Sequence, residues 1–210
     1  MSGTKTILGD NFESGGGDKY NLKDQATLIQ AKKVYLDSGQ PAAPVIPRDL
    51  QPLDDCFLGR DKELAELVEH LQPGKVAAVC GPGGMGKSAL AAQAVSKLEI
   101  DRFPDGIVFH SFYNEPHTDQ ALQTICNAFQ VEEKAGLAST VQQVLGGKKA
   151  LLILDGTEEA EDLKVVLALR STCGVLITSR KKADAQGFRL DLKPLEEQPA
   201  AAVFWQHSRG

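Results

Sequence analysis

The chain has 210 residues, of which 42% are hydrophobic and 24% charged, with a net charge of -5. That length supports one domain with a sizeable core plus a tail or linker, and the composition is ordinary for a globular protein. With 28 acidic against 23 basic residues and no long basic run, there is no electrostatic footprint for nucleic acid. Cys56, Cys80, Cys126 and Cys173 include no C-x-x-C pair, so neither a zinc site nor a redox motif is expected. The N-terminus lacks a basic segment followed by an apolar core, and no apolar run approaches the roughly 20 residues of a spanning helix. A cytoplasmic chain with free thiols and no membrane contact is the expectation.

Residues 1–52 read as a leader and linker. Gly15, Gly16 and Gly17 are consecutive, and Ala26–Leu36 has the content of a short strand or helix. Pro41, Pro44, Pro47 and Pro52 then fix φ and disfavour helix before each of them. A poorly ordered segment is expected, with a domain over 53–195. That domain opens on an amphipathic helix over 60–71, whose stripe is Leu64, Leu67, Val68 and Leu71, with Asp61 and Glu63 favoured in its first turn. Val76–Cys80 is a wholly apolar run between turn signals, the pattern of a strand covered on both faces. A helix follows over 87–98, then a strand over 106–113. Thr118 is expected to cap a helix with Leu122, Ile125, Cys126 and Phe129 inward. A short helix over 139–145 precedes a third buried strand over 149–155. Thr157 is expected to cap the next helix, and 174–180 gives a fourth strand. Over 188–192, Phe188, Leu190 and Leu192 alternate with Arg189 and Asp191, so this strand has one wet face and belongs at a sheet edge. A last helix begins near Glu196. Alternating strands and helices require right-handed crossovers and a parallel sheet covered on both sides.

The chemistry lies at Gly81-Pro82-Gly83-Gly84-Met85-Gly86-Lys87-Ser88, which fits G-x-x-x-x-G-K-[ST]. Glycines let backbone N–H groups face phosphate oxygens without a Cβ in the way. The following helix, beginning at Lys87 and running through Ala89, points its positive end at the same oxygens. Lys87 is expected to reach the β- and γ-phosphates, and Ser88 to hold Mg2+ through its hydroxyl. Asp155 ends the apolar strand Leu151–Leu154 at the sheet edge where ligands bind, and suits the Mg2+ shell, with capping of the next helix as the alternative. Glu158 either polarises an attacking water or is a solvated first-turn acid, as is Glu159. Thr178 and Arg180 end the fourth strand in the same layer, where Arg180 is suited to touch a γ-phosphate. The four histidines show no ligand spacing.

Taken in order, these blocks resemble the NB-ARC class of signalling ATPases within the larger STAND group. Phe57-Leu58-Gly59-Arg60-Asp61-Lys62-Glu63-Leu64 looks like the family's F-x-G-R-x-x-E-L lead-in. The phosphate loop, the Leu151–Asp155 strand and Thr178-Ser179-Arg180 follow, and Leu192-Lys193-Pro194-Leu195 resembles the approach to a helical lid. The resemblance implies a P-loop NTPase three-layer sandwich with strand order 5-1-4-3-2. It implies nucleotide contacts from Leu58, Gly59, Arg60, Gly81, Gly83, Gly84, Met85, Gly86, Lys87, Ser88, Ala89, Thr178 and Arg180, with ATP or ADP and Mg2+ bound. Asp155 and Glu158 are its implied catalytic acids. Residues 196–210 are expected to start the lid.

Two departures stand out. Many such proteins carry two acids in a row at the end of the third strand, whereas Gly156 follows Asp155 here, which points to slow hydrolysis. Only the start of the lid and none of the family's winged-helix region is expected within these residues, so the chain resembles the N-terminal part of a longer protein. The leader also resembles those that precede some bacterial NB-ARC modules, which implies either a tether or an assembly and effector contact. The resemblance favours a nucleotide-driven signalling switch of defence or cell-death type that forms homo-oligomers when activated. A small-molecule kinase and a scaffold with structural nucleotide are the alternatives, although the scattered basic residues after Ser88 offer no acceptor cluster.

Overall fold

The computed structural model describes residues 7–8, 11–13, 19–21, 48–49, 53, 57–133 and 136–195. The chain divides into two compact units, Met1–Pro44 and Val45–Gly210. Where composition predicts a poorly ordered leader, the described residues of the first unit form a small antiparallel sheet. Its strands are β1 (Ile7–Leu8), β2 (Asn11–Glu13) and β3 (Lys19–Asn21), with Phe12 opposite Tyr20. The expected element over 26–36, the linker prolines and the helix after Glu196 lie outside the described residues.

In the second unit, Asp49 donates its amide to the Ile107 carbonyl at 3.0 Å. Helix α1 (Asp61–His70) follows, with Asp61 and Glu63 in its first turn, where negative charge suits the helix dipole. The main sheet contains β4 (Val76–Cys80), β5 (Ile107–Ser111), β6 (Leu151–Asp155), β7 (Gly174–Ser179) and β8 (Phe188–Asp191). Every pairing is parallel and the spatial order is β5-β6-β7-β4-β8. Read from β8, that is the 5-1-4-3-2 order the resemblance implies. The remaining helices are α2 (Lys87–Ser96), α3 (Thr118–Ala128), α4 (Leu137–Leu145) and α5 (Leu163–Leu169).

Side chains alternate across each strand, and each face has its own cover. On one face, Ala77, Val79, Leu151, Ile153, Leu176 and Leu190 pack with Leu67 and Leu71 of the α1 region and Leu90, Ala91 and Ala94 of α2. On the other, Ala78, Cys80, Leu152, Leu154, Val175 and Ile177 pack with Leu122, Ile125, Val141, Leu145 and Val166 from α3, α4 and α5. Leu190 of edge strand β8 is buried, as is Leu192 just past its end, while Arg189 and Asp191 pair at 3.3 Å. Cys80, Cys126 and Cys173 are free and buried. Burial pushes all three thiols above their ordinary pKa, which suits packing rather than reactivity.

Two capping expectations are corrected. His117, not Thr118, is the N-cap of α3, and its amide donates to the Gln120 side chain at 3.2 Å. Thr118 is the first helical residue, and its hydroxyl accepts from the Asp162 amide at 3.2 Å, tying together the starts of α3 and α5. Thr157 does not cap α5 either. It opens a 3-10 turn over Thr157–Glu159, and Asp162 is the cap, accepting from the Lys164 amide at 3.0 Å. The buried Thr157 hydroxyl instead donates to Asp184 at 2.9 Å.

Packing is tight where β7 begins, against the loops that hold Gln72 and Phe103. A Cβ on Gly174 would lie 2.7 Å from Phe103 Cε1 and 2.8 Å from the Gln72 carbonyl oxygen. Gly174→Ala is expected to lower stability by about 1–3 kcal/mol through overpacking, read as a shifted denaturant midpoint with unchanged slope.

Candidate functional site

The parallel sheet delivers the C-terminal ends of β4, β6 and β7 to one edge, where α/β sheets bind their ligands. Gly81 follows β4 directly and donates its amide to the Ser179 carbonyl at 3.2 Å. Its φ of 157° brings the backbone against Leu192, whose carbonyl oxygen would lie 3.2 Å from an added Cβ. Gly84 and Gly86 have φ of 72° and 79°, in the left-handed region glycine favours. Nothing lies within 4 Å of the position a Cβ would take at either, so backbone conformation rather than crowding is what calls for glycine there. Lys87 is buried and folds back over the loop, donating to the Pro82 carbonyl at 2.9 Å.

The lead-in segment rests on the same loop. Gly59 turns with φ of 72°, and Arg60 is buried. One guanidinium nitrogen pairs with Glu63 at 2.9 Å and the other donates to the Met85 carbonyl at 3.4 Å. Leu58 is exposed and Ala89 half-buried in the first turn of α2.

Asp155 is buried, and two hydroxyls donate to its Oδ1: Ser88 at 2.7 Å and Thr178 at 2.6 Å. The Thr178 hydroxyl in turn accepts from the Gly156 amide at 3.1 Å. Ser88 and Asp155 therefore present hard oxygen donors side by side at the mouth of the loop. That donor set fits Mg2+, which is held by one or two protein oxygens with phosphate and water completing the shell. Among the described residues, no group of three or more His, Cys, Asp or Glu side chains could hold a metal ion.

Glu158 and Arg180, assigned separate tasks from sequence, are joined. Arg180 Nε lies 3.0 Å from Glu158 Oε1, and the Arg180 amide donates to Oε2 at 3.0 Å. The Tyr113 hydroxyl donates to Oε1 at 2.6 Å, and Lys181 Nζ donates to the Glu158 carbonyl at 2.6 Å. Burial alone would raise the Glu158 pKa. The Tyr113 hydroxyl, the Arg180 amide and the Arg180 charge outweigh it and hold the carboxyl below its usual value. A carboxylate so donated to is a poor base, whichever chemistry surrounds it. Burial and the Glu158 contact push Tyr113 up to about 12.

Tyr113, Lys181 and Asp184 carry no motif and were not singled out from sequence. Asp184 accepts from both Thr157 at 2.9 Å and Ser179 at 2.5 Å, pinning the segment after β7. Strand register is the signal that could have found Tyr113, because Ser111 lies opposite Asp155 and Tyr113 is two residues beyond.

The Glu158 environment has a pH signature. A carboxyl whose folded pKa is depressed contributes stability that is present above its unfolded value, here 4.5, and lost as pH falls through the folded value. Glu158→Gln is therefore expected to lower the thermal midpoint at pH 7, with the gap to wild type closing as pH falls below about 4. Thermal melts of both proteins over that range check the sign.

The sheet order and the sequence can be set beside known proteins. The chain is 27% identical to the "Regulatory protein AfsR" of Streptomyces coelicolor over 96% of this chain and 23% of that protein. It is 31% identical to a "Nucleotide-binding leucine-rich repeat (NLR)-like protein" of Hyaloscypha variabilis over 51% of this chain and 12% of that one. The chain thus spans less than a quarter of the length of either relative. Among solved structures, the ORC2 protein of Aeropyrum pernix in its ADPNP and ADP complexes superposes with a TM-score of 0.57 at 16% identity. That alignment covers 77% of this chain and 54% of that one, a likeness of fold. The NB-ARC domain family matches residues 60–196, which hold α1, the phosphate loop, Asp155 and Arg180, and the chain belongs to that family of nucleotide-binding P-loop domains.

Proposed function

We propose that this chain is the nucleotide-binding core of a regulatory switch that holds ADP at rest and responds to ATP. The observation that carries the reading is the Ser88–Asp155 pair beside the glycine-rich loop, with Arg180 next to Gly83 of the same loop. Backbone amides of 83–88 cradle the phosphates, and Lys87 reaches the β- and γ-phosphates. Ser88 and Asp155 hold Mg2+, which supplies charge neutralisation between the terminal phosphates. Arg180 distinguishes the triphosphate, because a switch needs a contact that differs between its two ligands. The lead-in around Leu58 and Gly59, braced by Arg60 on Met85, lies against the base.

Hydrolysis is slow on this reading. Glu158 is occupied by three donors, and Gly156 offers no second acid. The names of the relatives, one a regulatory protein and one NLR-like, support a signalling role over a metabolic one. Homo-oligomerisation on activation, an effector contact through residues 1–52 and a defence role belong to the same proposal. So does a cytoplasmic location; no helix among the described residues is long and apolar enough to cross a membrane.

The test is the nucleotide content of the purified chain, released by denaturation and resolved on an ion-exchange column. Near-stoichiometric ADP is expected in wild type. Lys87→Ala is expected to weaken binding about 10- to 100-fold, the equivalent of a charge-assisted hydrogen bond, and to purify empty. A wild type that is empty and shows no thermal shift with ATP or ADP sinks the reading.

A further inference from the structure

The ion pair between Glu158 and Arg180 is lopsided. The Glu158 side chain is 5% exposed and that of Arg180 is 53% exposed. The acid is fixed within the protein, while the cation stands at the solvent edge of the phosphate loop. A Cβ on Gly83 would lie 3.7 Å from Arg180 Nε, so an anion seated in the loop competes with Glu158 for the same guanidinium.

Release of Arg180 has a physical obstacle. Taking a partner from a buried carboxylate leaves a charge short of donors, which costs more than the net value of the bond removed. Two donors stay behind when the guanidinium swings away. One is the Arg180 amide on Oε2, which is backbone and does not leave with the side chain. The other is the Tyr113 hydroxyl on Oε1, the oxygen that Arg180 Nε would vacate.

Tyr113 is held for that task although it is 43% exposed. Its ring covers Gly156 so closely that a Cβ there would lie 2.5 Å from Tyr113 Cε2. The preceding Phe112 is buried, and its amide donates to the Asp155 carbonyl at 2.9 Å. Beyond the ring, Asn114 and Glu115 both donate to the Ser111 carbonyl, closing the turn. The Arg180 guanidinium carbon lies 5.6 Å from the centre of the Tyr113 ring, so one ring touches both members of the pair.

We infer that Tyr113 is a positioning residue for nucleotide discrimination: its hydroxyl keeps Glu158 partnered when Arg180 turns to the terminal phosphate of a nucleoside triphosphate. The inference rests on the reading of the chain as a nucleotide switch with Arg180 as its sensor. Tyr113 touches no nucleotide in this scheme. It acts through Glu158, and its effect falls on ATP and not on ADP.

The experiment is a double-mutant cycle on the full chain, using Tyr113→Phe and Glu158→Gln, with affinities for ADP and a non-hydrolysable ATP analogue measured in Mg2+. Tyr113→Phe keeps the ring over Gly156 and removes only the hydroxyl. It is expected to leave ADP affinity unchanged and to weaken the ATP analogue about fivefold, the equivalent of one hydrogen bond. Glu158→Gln removes the charge that competes for Arg180, so the ratio of analogue to ADP affinity rises, and Tyr113→Phe adds nothing in that background. A tyrosine that only packs would weaken both nucleotides alike, or shift their ratio by the same factor with Gln at 158; either result overturns the inference. Wild-type binding of both nucleotides with Tyr113→Phe indistinguishable from it also overturns the inference, and leaves the switch reading standing. Binding of neither nucleotide by the wild type brings down the switch reading and the inference with it.

Discussion

One carboxylate oxygen organises the C-terminal edge of the sheet. Asp155 Oδ1 accepts from Ser88, at the start of the helix that follows β4, and from Thr178, on the strand lying between β4 and β6. Three successive parts of the edge therefore meet at a single atom. A buried carboxylate without donors would be costly, so hydroxyl residues at 88 and 178 are required by the burial of Asp155 as much as by any ligand. Their bonds fix the height of the phosphate loop relative to β6 and β7. Through the Gly156 amide on Thr178, they also fix where the chain turns toward Glu158.

From that point the site divides into a rigid part and an exchangeable part. The glycine cradle, Ser88 and Asp155 are set by strand ends and by short bonds between neighbours. Arg180 is different, because its backbone is anchored on Glu158 while its side chain reaches into solvent. Lys181 and Asp184 secure the segment on either side through the Glu158 carbonyl and the Ser179 and Thr157 hydroxyls. The backbone can thus stay still while one long side chain changes partner, an economical form for a two-state element.

Much of this could be read from the residues. Apolar runs bounded by turn signals became strands because both sheet faces are covered, and the alternation over 188–192 marked the edge strand because one of its faces is wet. The phosphate loop was visible because its glycines answer a purely local need. What sequence missed was non-local. Thr118 and Thr157 both look like caps, since a threonine before an apolar stripe usually is one. Their hydroxyls were instead recruited by Asp162 and Asp184, residues distant in sequence. Glu158 was legible as an acid near the site, but the three donors that occupy it come from two other elements. Tyr113 had no local signature at all; its place follows from the register that sets Ser111 beside Asp155.

The turn at Gly156 carries a consequence for how such a site can change over generations. Its φ of 71° and the ring of Tyr113 above it set any side chain there, a carboxylate included, against backbone strain and the ring together. With tyrosine at 113, a second acid at 156 therefore comes only with displacement of the ring that donates to Glu158. Removing the ring first would strip Glu158 of a donor before any replacement acid existed. The two positions are therefore sterically coupled: a side chain at 156 and the Tyr113 ring that partners Glu158 compete for the same space.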